Sequence, residues 1–245
     1  MKVFIDSNIY KFSAVKHHVF VPQKSRVAWG GREIEMEWSK PYTTNSILKI
    51  KHPPLKRDAV FLPILAKAGL LGHIKFLRSP EIDMEAAGLP STASASGRFF
   101  GCPVEQVKLP TNSPRMWLGG GRSADEWTDS FLASISHPRF KELCKVVGAY
   151  QGEKNPLHRN QARDALHIWT AEEAGADAFL TMDYKLGKMI KNDPKKRVPL
   201  KIYSPGEVLK DLLYSLGLFR GTVFIAKSFR FAKGHVKFDE QDGWN

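Results

Sequence analysis

The sequence predicts an α/β fold, with a central parallel sheet between two layers of helices in a three-layer α/β/α arrangement. The first observation is that the runs 2–5 and 178–182 are short and mainly apolar, and each ends at an aspartate. Such runs are typical of parallel strands that are buried on both faces. The second is that helix-like segments separate the strand-like ones, which favours parallel strand pairing.

Four strands are predicted for the sheet, over 2–5, 73–77, 178–182 and 198–203. Helices are predicted between and after them, over 9–15, 58–72, 80–85, 139–149, 161–174 and 205–216, with a further one opening at 123. Ser79 and Ser204 are placed as N-caps, and Gly175 suits the end of a helix. Pro63 is expected in the first turns of its helix.

Two insertions and a tail are predicted around this core, which spans residues 1–217. The insertion at 19–56 contains a hairpin over 26–38, because Gly30-Gly31 suits a two-residue turn and Ile34, Met36 and Trp38 alternate with glutamates. Residues 88–122, with the insertion at 91–122, are rich in Gly, Pro, Ser and Thr and are expected to form a long loop. The extension at 218–245 is basic and aromatic.

Composition narrows the function classes. The chain has 245 residues and 37 Lys and Arg against 25 Asp and Glu, which gives a net charge of +12 and favours a polyanionic partner. Two cysteines are too few for a disulfide scaffold. The longest apolar run, 59–71, is broken by Pro63 and Lys67, which argues against a membrane span. A cytoplasmic protein with no membrane partner is therefore expected.

Acidic residues follow the predicted strands. Asp6 and Asp183 each end a strand, Asp164 lies in the first turn of a helix, and Glu85 is the last acid of the helix after 73–77. Ligands of open α/β sheets bind at the carboxyl ends of the strands. If the two strands are neighbours, Asp6 and Asp183 face one crevice.

Clustered carboxylates repel one another and are stabilised by a bound cation. Oxygen ligands of this kind suit Mg²⁺ or Mn²⁺, and such an ion at a basic protein suggests phosphodiester hydrolysis. Each acid taken singly has a simpler explanation. Asp6 suits a turn or a helix cap, and Asp164 suits the macrodipole of its helix. Four acids in this order are harder to obtain by chance.

At these acids the sequence resembles the PIN-domain family of metal-dependent nucleases. The run from Val3 to Asn8 is similar to the family's first strand, which ends in Asp-x-Asn. The run 79–85 is similar to its strand–Ser–helix segment, in which a glutamate falls six residues after the serine. The strongest similarity lies in 160–183, where helix, strand and two aspartates follow in the family's order and spacing.

The resemblance implies a catalytic, metal-binding quartet of Asp6, Glu85, Asp164 and Asp183, with Mg²⁺ or Mn²⁺ as cofactor. Asn8 and Thr181 would support it. Glu81 shares a helix face with Glu85 and is an alternative second acid. The implied reaction is endonucleolytic cleavage of RNA by metal-activated water.

Family members are often toxins of toxin–antitoxin pairs, so an antitoxin protein and a homodimer are implied partners besides RNA. Two alternatives stay open. One is a catalytically silent nucleic-acid-binding or scaffold protein of the same fold. The other is a nuclease that acts on structured or single-stranded DNA.

A basic run follows Asp183 and is predicted to contact the nucleic-acid backbone, although a solvated helix face is the alternative for any one residue. Its candidate residues are Lys185, Lys188, Lys191, Lys195, Lys196 and Arg197. His167, three residues after Asp164, is expected to be a buried, hydrogen-bonded histidine rather than a substrate contact.

Overall fold

The computed structural model describes residues 1–13, 16–29, 32–45, 50–87, 98–112, 124–152, 155–195 and 197–218. The strands are β1 Lys2–Ile5, β2 Lys16–Trp29, β3 Arg32–Asn45, β4 Lys75–Arg78, β5 Arg98–Phe99, β6 Cys102–Gln106, β7 Ala178–Leu180 and β8 Lys201–Tyr203. The helices are α1 Ser7–Ser13, α2 Pro53–Leu70, α3 Pro80–Ala87, α4 Ala124–Ser134, α5 Pro138–Val146, α6 Arg159–Glu173, α7 Tyr184–Lys191 and α8 Pro205–Ser215.

The central sheet has the order β5-β6-β4-β1-β7-β8, and every pairing except β5 with β6 is parallel. Helices flank this sheet, so the predicted α/β class with its three-layer α/β/α arrangement is confirmed. β1 lies in the interior of the sheet, where Val3, Phe4 and Ile5 are fully buried. Phe4 stacks on Phe179 of β7 with ring centroids 5.7 Å apart. Coverage on both faces explains why β7, and β1 after Lys2, are apolar.

The sequence predicted a long loop over 88–122, but the structure places two strands, β5 and β6, in this segment. β6 adds to the sheet beside β4, with Phe76 opposite Val104, and β5 pairs antiparallel with β6. The connection between them uses positive φ angles at Phe100 (46°) and Gly101 (80°). Composition hides these strands because Gly101 and Pro103 are turn-forming residue types, while only Cys102 and Val104 of β6 are buried. Residues 88–97 and 113–123 lie outside the described part.

Helix α2 begins at Pro53, earlier than expected, and Pro63 therefore lies inside it rather than in its first turns. The two prolines at the start, Pro53 and Pro54, stand where a helix needs no backbone N–H donor. Pro63 has no N–H to give to the carbonyl of Ala59, so this helix tolerates one lost bond in its interior.

The predicted hairpin is confirmed and is longer than the pattern indicated. β2 and β3 pair antiparallel from Lys16 opposite Asn45 to Trp29 opposite Arg32, as a two-stranded sheet separate from the central one. The expected turn at Gly30-Gly31 lies outside the described residues. Met36 is 45% exposed, so its side of the ribbon is not fully covered.

The chain divides into two units, Met1–Leu209 and Lys210–Asn245. Of the second unit the structure describes 210–218, where Gly217 adopts a positive φ of 71°. The basic aromatic extension beyond Leu218 lies outside the described residues. None of the helices in the described ranges combines the length and the apolar character that crossing a bilayer requires.

Candidate functional site

The ends of β1 and β7 bring two of the candidate acids to the same edge of the sheet. β1 pairs directly with β7, with Ile5 opposite Leu180. The Asp6 amide continues the ladder by donating to the Leu180 carbonyl (3.0 Å). Asp6 and Asp183 therefore follow neighbouring parallel strands, which meets the condition under which the sequence predicted that the two acids face one crevice.

Asn8 and Thr181 form a polar network between these two acids. The Thr181 hydroxyl donates to Asp6 Oδ2 (2.6 Å), and Asn8 Nδ2 donates to the Thr181 oxygen (3.0 Å). The same oxygen accepts from the Asp183 amide (2.9 Å). Asn8 Oδ1 accepts from the Met182 amide (3.0 Å). These bonds fix the loop after β7 against the loop after β1.

Asp183 is the N-cap of α7. Its Oδ1 accepts from the amides of Lys185 (2.8 Å) and Leu186 (3.1 Å). Within the described residues, its Oδ2 receives no hydrogen bond. A carboxylate in this position both stabilises the helix start and keeps one oxygen for another ligand.

Asp164, on α6, is the acid whose charge is least compensated. Its carboxylate makes no hydrogen bond or ion pair with any residue that the structure describes. Burial, and then the negative charge of Asp6, raises its pKa to about 7; Asp183 and Glu85 add to the rise, and His167 opposes it. Asp164 therefore interacts electrostatically with each of the other three predicted acids, although 158 residues separate it from Asp6 along the chain.

Burial also raises the pKa of Asp6, whose side chain is almost fully enclosed at 4% exposure. The charge of His167 and the hydrogen bond from Thr181 oppose this rise. Ser7 Oγ lies 3.5 Å from Asp6 Oδ1. Asp6 is thus held by its neighbours but remains in a region where a negative charge is costly.

Glu85 lies on α3 and interacts electrostatically with Asp164. Among the described residues, Glu81, the alternative second acid, is not one of the main groups that shift the pKa of Asp164. Glu85 Oε1 lies 3.0 Å from His167 Nε2 and 3.8 Å from Arg163 Nε. Burial opposes ionisation, but the charge of His167, its hydrogen bond, a further bond from Ser7 and the charge of Arg163 outweigh burial and lower the pKa of Glu85 to about 2. Glu85 is therefore ionised and already paired.

His167 is buried and hydrogen-bonded, as the sequence predicted, and it also contributes charge to the acidic cluster. It is 1% exposed, and its Nδ1 lies 3.5 Å from Ser79 Oγ. Burial works against its charge, but the carboxylate of Glu85 and their hydrogen bond, with Asp6 and Asp164 beyond, raise its pKa to about 9. The imidazolium interacts with Glu85, Asp6 and Asp164 and offsets part of their negative charge. Its position three residues after Asp164, on the same helix, was the available signal.

The donor set fits a hard divalent cation. Asp6, Asp164 and Asp183 offer carboxylate oxygens, and burial together with the charges of the other acids raises the pKa of Asp164. Glu85 is engaged by His167 and Arg163, so its contact with an ion would pass through water. Across the described ranges, no three His, Cys, Asp or Glu side chains are already arranged as ligands of one ion.

The basic residues after Asp183 do not form one uniform surface. Lys185 and Lys188 are exposed on α7, whereas Lys191 pairs with Glu207 (2.5 Å). Lys195 is exposed after the helix, and Arg197 pairs with the carboxylate of Asp193 (2.9 Å). Lys196 lies outside the described residues. Two of the six candidates are thus committed to ion pairs.

Comparison of the sequence with known proteins gives no matching family model and no matching curated protein.

Proposed function

We propose that this chain is a divalent-metal-dependent nuclease of PIN type that hydrolyses phosphodiester bonds of RNA. The observation that carries the proposal is that the charges of Asp6, Asp183 and Glu85 all act on Asp164, which has no pairing partner among the described residues. Asp6 and Asp183 follow neighbouring parallel strands. The net charge of +12 supports a polyanionic substrate. From the resemblance to the PIN-domain family we also propose an antitoxin protein and a second copy of the chain as partners.

Asp6, Asp164 and Asp183 would hold Mg²⁺ or Mn²⁺, and Glu85 would contact it through water. When bound, such an ion lowers the pKa of water and offsets the negative charge that develops on the phosphate. The protein's own residues orient the ligands. Thr181 and Asn8 hold Asp6 in place, the amides of α7 hold one oxygen of Asp183, and His167 holds Glu85.

One observation favours the second candidate, a catalytically silent nucleic-acid-binding protein of the same fold. His167 and Arg163 already supply positive charge to Glu85. A cluster that is partly neutralised by its own protein has less need of a metal ion. Metal affinity therefore separates the two candidates.

The test measures Mn²⁺ binding by calorimetry and cleavage of labelled RNA and DNA oligonucleotides of the same sequence. We expect the wild-type chain to bind Mn²⁺ and to cleave RNA in preference to DNA. Asp164→Asn is expected to reduce cleavage by at least 100-fold. Glu105→Gln removes an acid that pairs with Lys75 and lies outside the cluster, and it is expected to leave both readouts unchanged.

Absence of Mn²⁺ binding at millimolar concentration in the wild-type chain would contradict the nuclease assignment and favour the silent protein. Equal cleavage of the two oligonucleotides would contradict the choice of RNA. Melting curves of each variant in EDTA show whether a loss of cleavage reflects a loss of fold.

A further inference from the structure

A basic groove lies away from the acidic cluster, between α5 and the segment after α7. We call it the α5 groove. It is an open depression of about 870 Å³, and its charged lining residues are Arg139, Lys141, Glu142, Lys145, Lys195 and Arg197. Five of these six carry a positive charge. None of the four acids of the candidate site lines it.

The two arginines of the α5 groove are fixed in place by acids and join its walls. Arg139 Nε and Nη2 bond both oxygens of Glu172 (2.8 and 2.6 Å). Arg139 Nη2 also donates to the carbonyl of Arg197 (2.9 Å). Arg197 in turn bonds the carboxylate of Asp193. The groove is therefore a built feature whose two walls are connected, rather than a set of mobile side chains.

The lysines of the α5 groove are different, because none of them pairs with an acid in the part of the chain that is described. Lys141, Lys145 and Lys195 are all exposed. Lys141 and Lys145 stand four residues apart on one face of α5, where like charges repel each other. Such a face is stabilised when an anion binds across it.

An aromatic ring lies beside Lys145, outside the lining of the α5 groove itself. Lys145 Nζ is 5.5 Å from the centre of the Tyr150 ring, which is 43% exposed. Lysines next to an exposed ring are the combination that holds single-stranded nucleic acid, since the charges bind phosphates and the ring stacks on a base.

We propose that the α5 groove binds the phosphodiester backbone of single-stranded RNA, with Tyr150 as a stacking platform for a base. This inference deepens the proposed function, and it rests on that function for the claim that the bound strand continues to the acidic cluster. α7 leads from Asp183 towards Lys195, and its eight residues span about 12 Å. Lys185 and Lys188 are exposed along this helix. The α5 groove would therefore hold the substrate a few nucleotides away from the bond that is cleaved.

The test is fluorescence anisotropy of the full chain with a labelled single-stranded RNA 20-mer in EDTA, where metal-dependent cleavage does not occur. The groove variant is Lys141→Gln/Lys145→Gln/Lys195→Gln. The matched control is Lys51→Gln/Lys56→Gln/Lys67→Gln, which removes the same charge from exposed lysines that do not line the groove.

We expect the groove variant to lose at least tenfold in affinity and the control less than twofold. The plot of log binding constant against log salt concentration has a negative slope. In the groove variant the magnitude of this slope should decrease by about two, because each of three lost phosphate contacts on a single strand contributes about 0.7. Tyr150→Leu should weaken binding several-fold without changing this slope. Single Lys141→Gln and Lys195→Gln variants keep the test valid if the triple variant fails to fold.

Equal losses of RNA affinity in the groove variant and the control would overturn the proposal. Groove-dependent binding of poly-glutamate with the affinity of RNA would also overturn it, because that result would indicate an acidic protein partner. Groove-dependent binding of a DNA 20-mer tighter than RNA would overturn the choice of RNA. Because no metal is present, these outcomes are independent of the cleavage assay. The groove proposal can fail while RNA cleavage is observed, and groove-dependent RNA binding can be observed while cleavage is absent.

Discussion

At the residue scale, Asp164 and Glu85 show how two carboxylates that interact with the same histidine acquire opposite properties. Glu85 contacts the imidazole and a guanidinium, and its pKa falls to about 2. Asp164 has no such partner among the described residues, and burial beside other acids raises its pKa to about 7. The cluster therefore holds one acid that is always ionised and one that titrates near neutral pH.

This difference predicts the pH dependence of stability without metal. The pKa of Asp164 is raised from 3.8 to about 7, so the folded state favours the protonated form of this side chain. The resulting contribution to the free energy of unfolding is fully present below about pH 4 and is lost as the pH rises through about 7. Asp164→Asn removes this loss. Relief of about 1–2 kcal/mol at pH 8 would raise the Tm by about 2–8 °C, with little change at pH 4.

Thermal melts of the two proteins between pH 4 and pH 8.5 in EDTA measure this difference. His167, whose pKa is raised to about 9, loses its own contribution between about pH 6.5 and 9 in both proteins and therefore largely cancels in the comparison. A variant that melts below the wild-type chain at pH 8 would contradict an uncompensated acid at position 164.

At the element scale, the start of α7 combines a structural role with the candidate metal site. Asp183 caps this helix through Oδ1, so loss of its charge and loss of its cap are separable. We expect Asp183→Asn to keep the cap and the stability within about 0.5 kcal/mol. Asp183→Ala is expected to cost about 1 kcal/mol, because the amides of Lys185 and Leu186 lose their acceptor.

Urea unfolding of both variants measures the cap, and Mn²⁺ calorimetry measures the charge. Under the proposed function both variants lose metal affinity, although only the alanine loses stability. Equal destabilisation by asparagine and alanine would show that the charge itself, rather than the cap, stabilises this helix.

The contact between α2 and the sheet depends on the absence of a side chain at Gly69. A Cβ there would lie 2.6 Å from Cys102 Sγ and 2.7 Å from a ring carbon of Phe76. Gly69→Ala should therefore destabilise the protein by about 1–3 kcal/mol, although alanine is the better helix former. Gly187→Ala in α7 is the control, because a Cβ there would lie 4.0 Å from Ile202 Cγ2, and it should stabilise the protein by up to about 1 kcal/mol.

Urea unfolding compares the two variants, and a neutral or positive effect of Gly69→Ala would show that the sheet can move away from α2. The same contact explains an error of the sequence reading. Cys102 belongs to β6, and its place is specified by packing against α2 and Phe76 rather than by local pattern. A five-residue strand with Pro103 in it carries too little periodic signal to be recognised from composition.

At the scale of the whole molecule, the sequence was informative where burial is complete and uninformative where contacts are long-range. β1 and β7 were predictable because a strand covered on both faces has an apolar run and ends sharply. That Asp6 and Asp183 meet depended on the pairing of β1 with β7, which no local pattern encodes. The pairing of Glu85 with His167 and the α5 groove likewise join residues distant in sequence, and these were not predicted.

The charges of the described molecule are distributed unevenly. Acids gather at the carboxyl edge of the sheet, and unpaired lysines line the α5 groove and the exposed face of α7. A polyanion is attracted by the second region and repelled by the first until a cation is present. Under the two proposals, binding and cleavage are therefore separable properties, and EDTA allows binding to be measured without cleavage.

The position of β1 in the interior of the sheet has a consequence for biosynthesis. Its neighbours are β4, at residues 75–78, and β7, at residues 178–180. During synthesis, β1 therefore cannot form its pairing with β7 until more than 170 further residues have been added. A nascent chain still short of Leu180 has no edge at which Asp6 and Asp183 can meet. Under the proposed function, products that terminate before Asp183 would lack part of the metal site and would be harmless to the RNA around them.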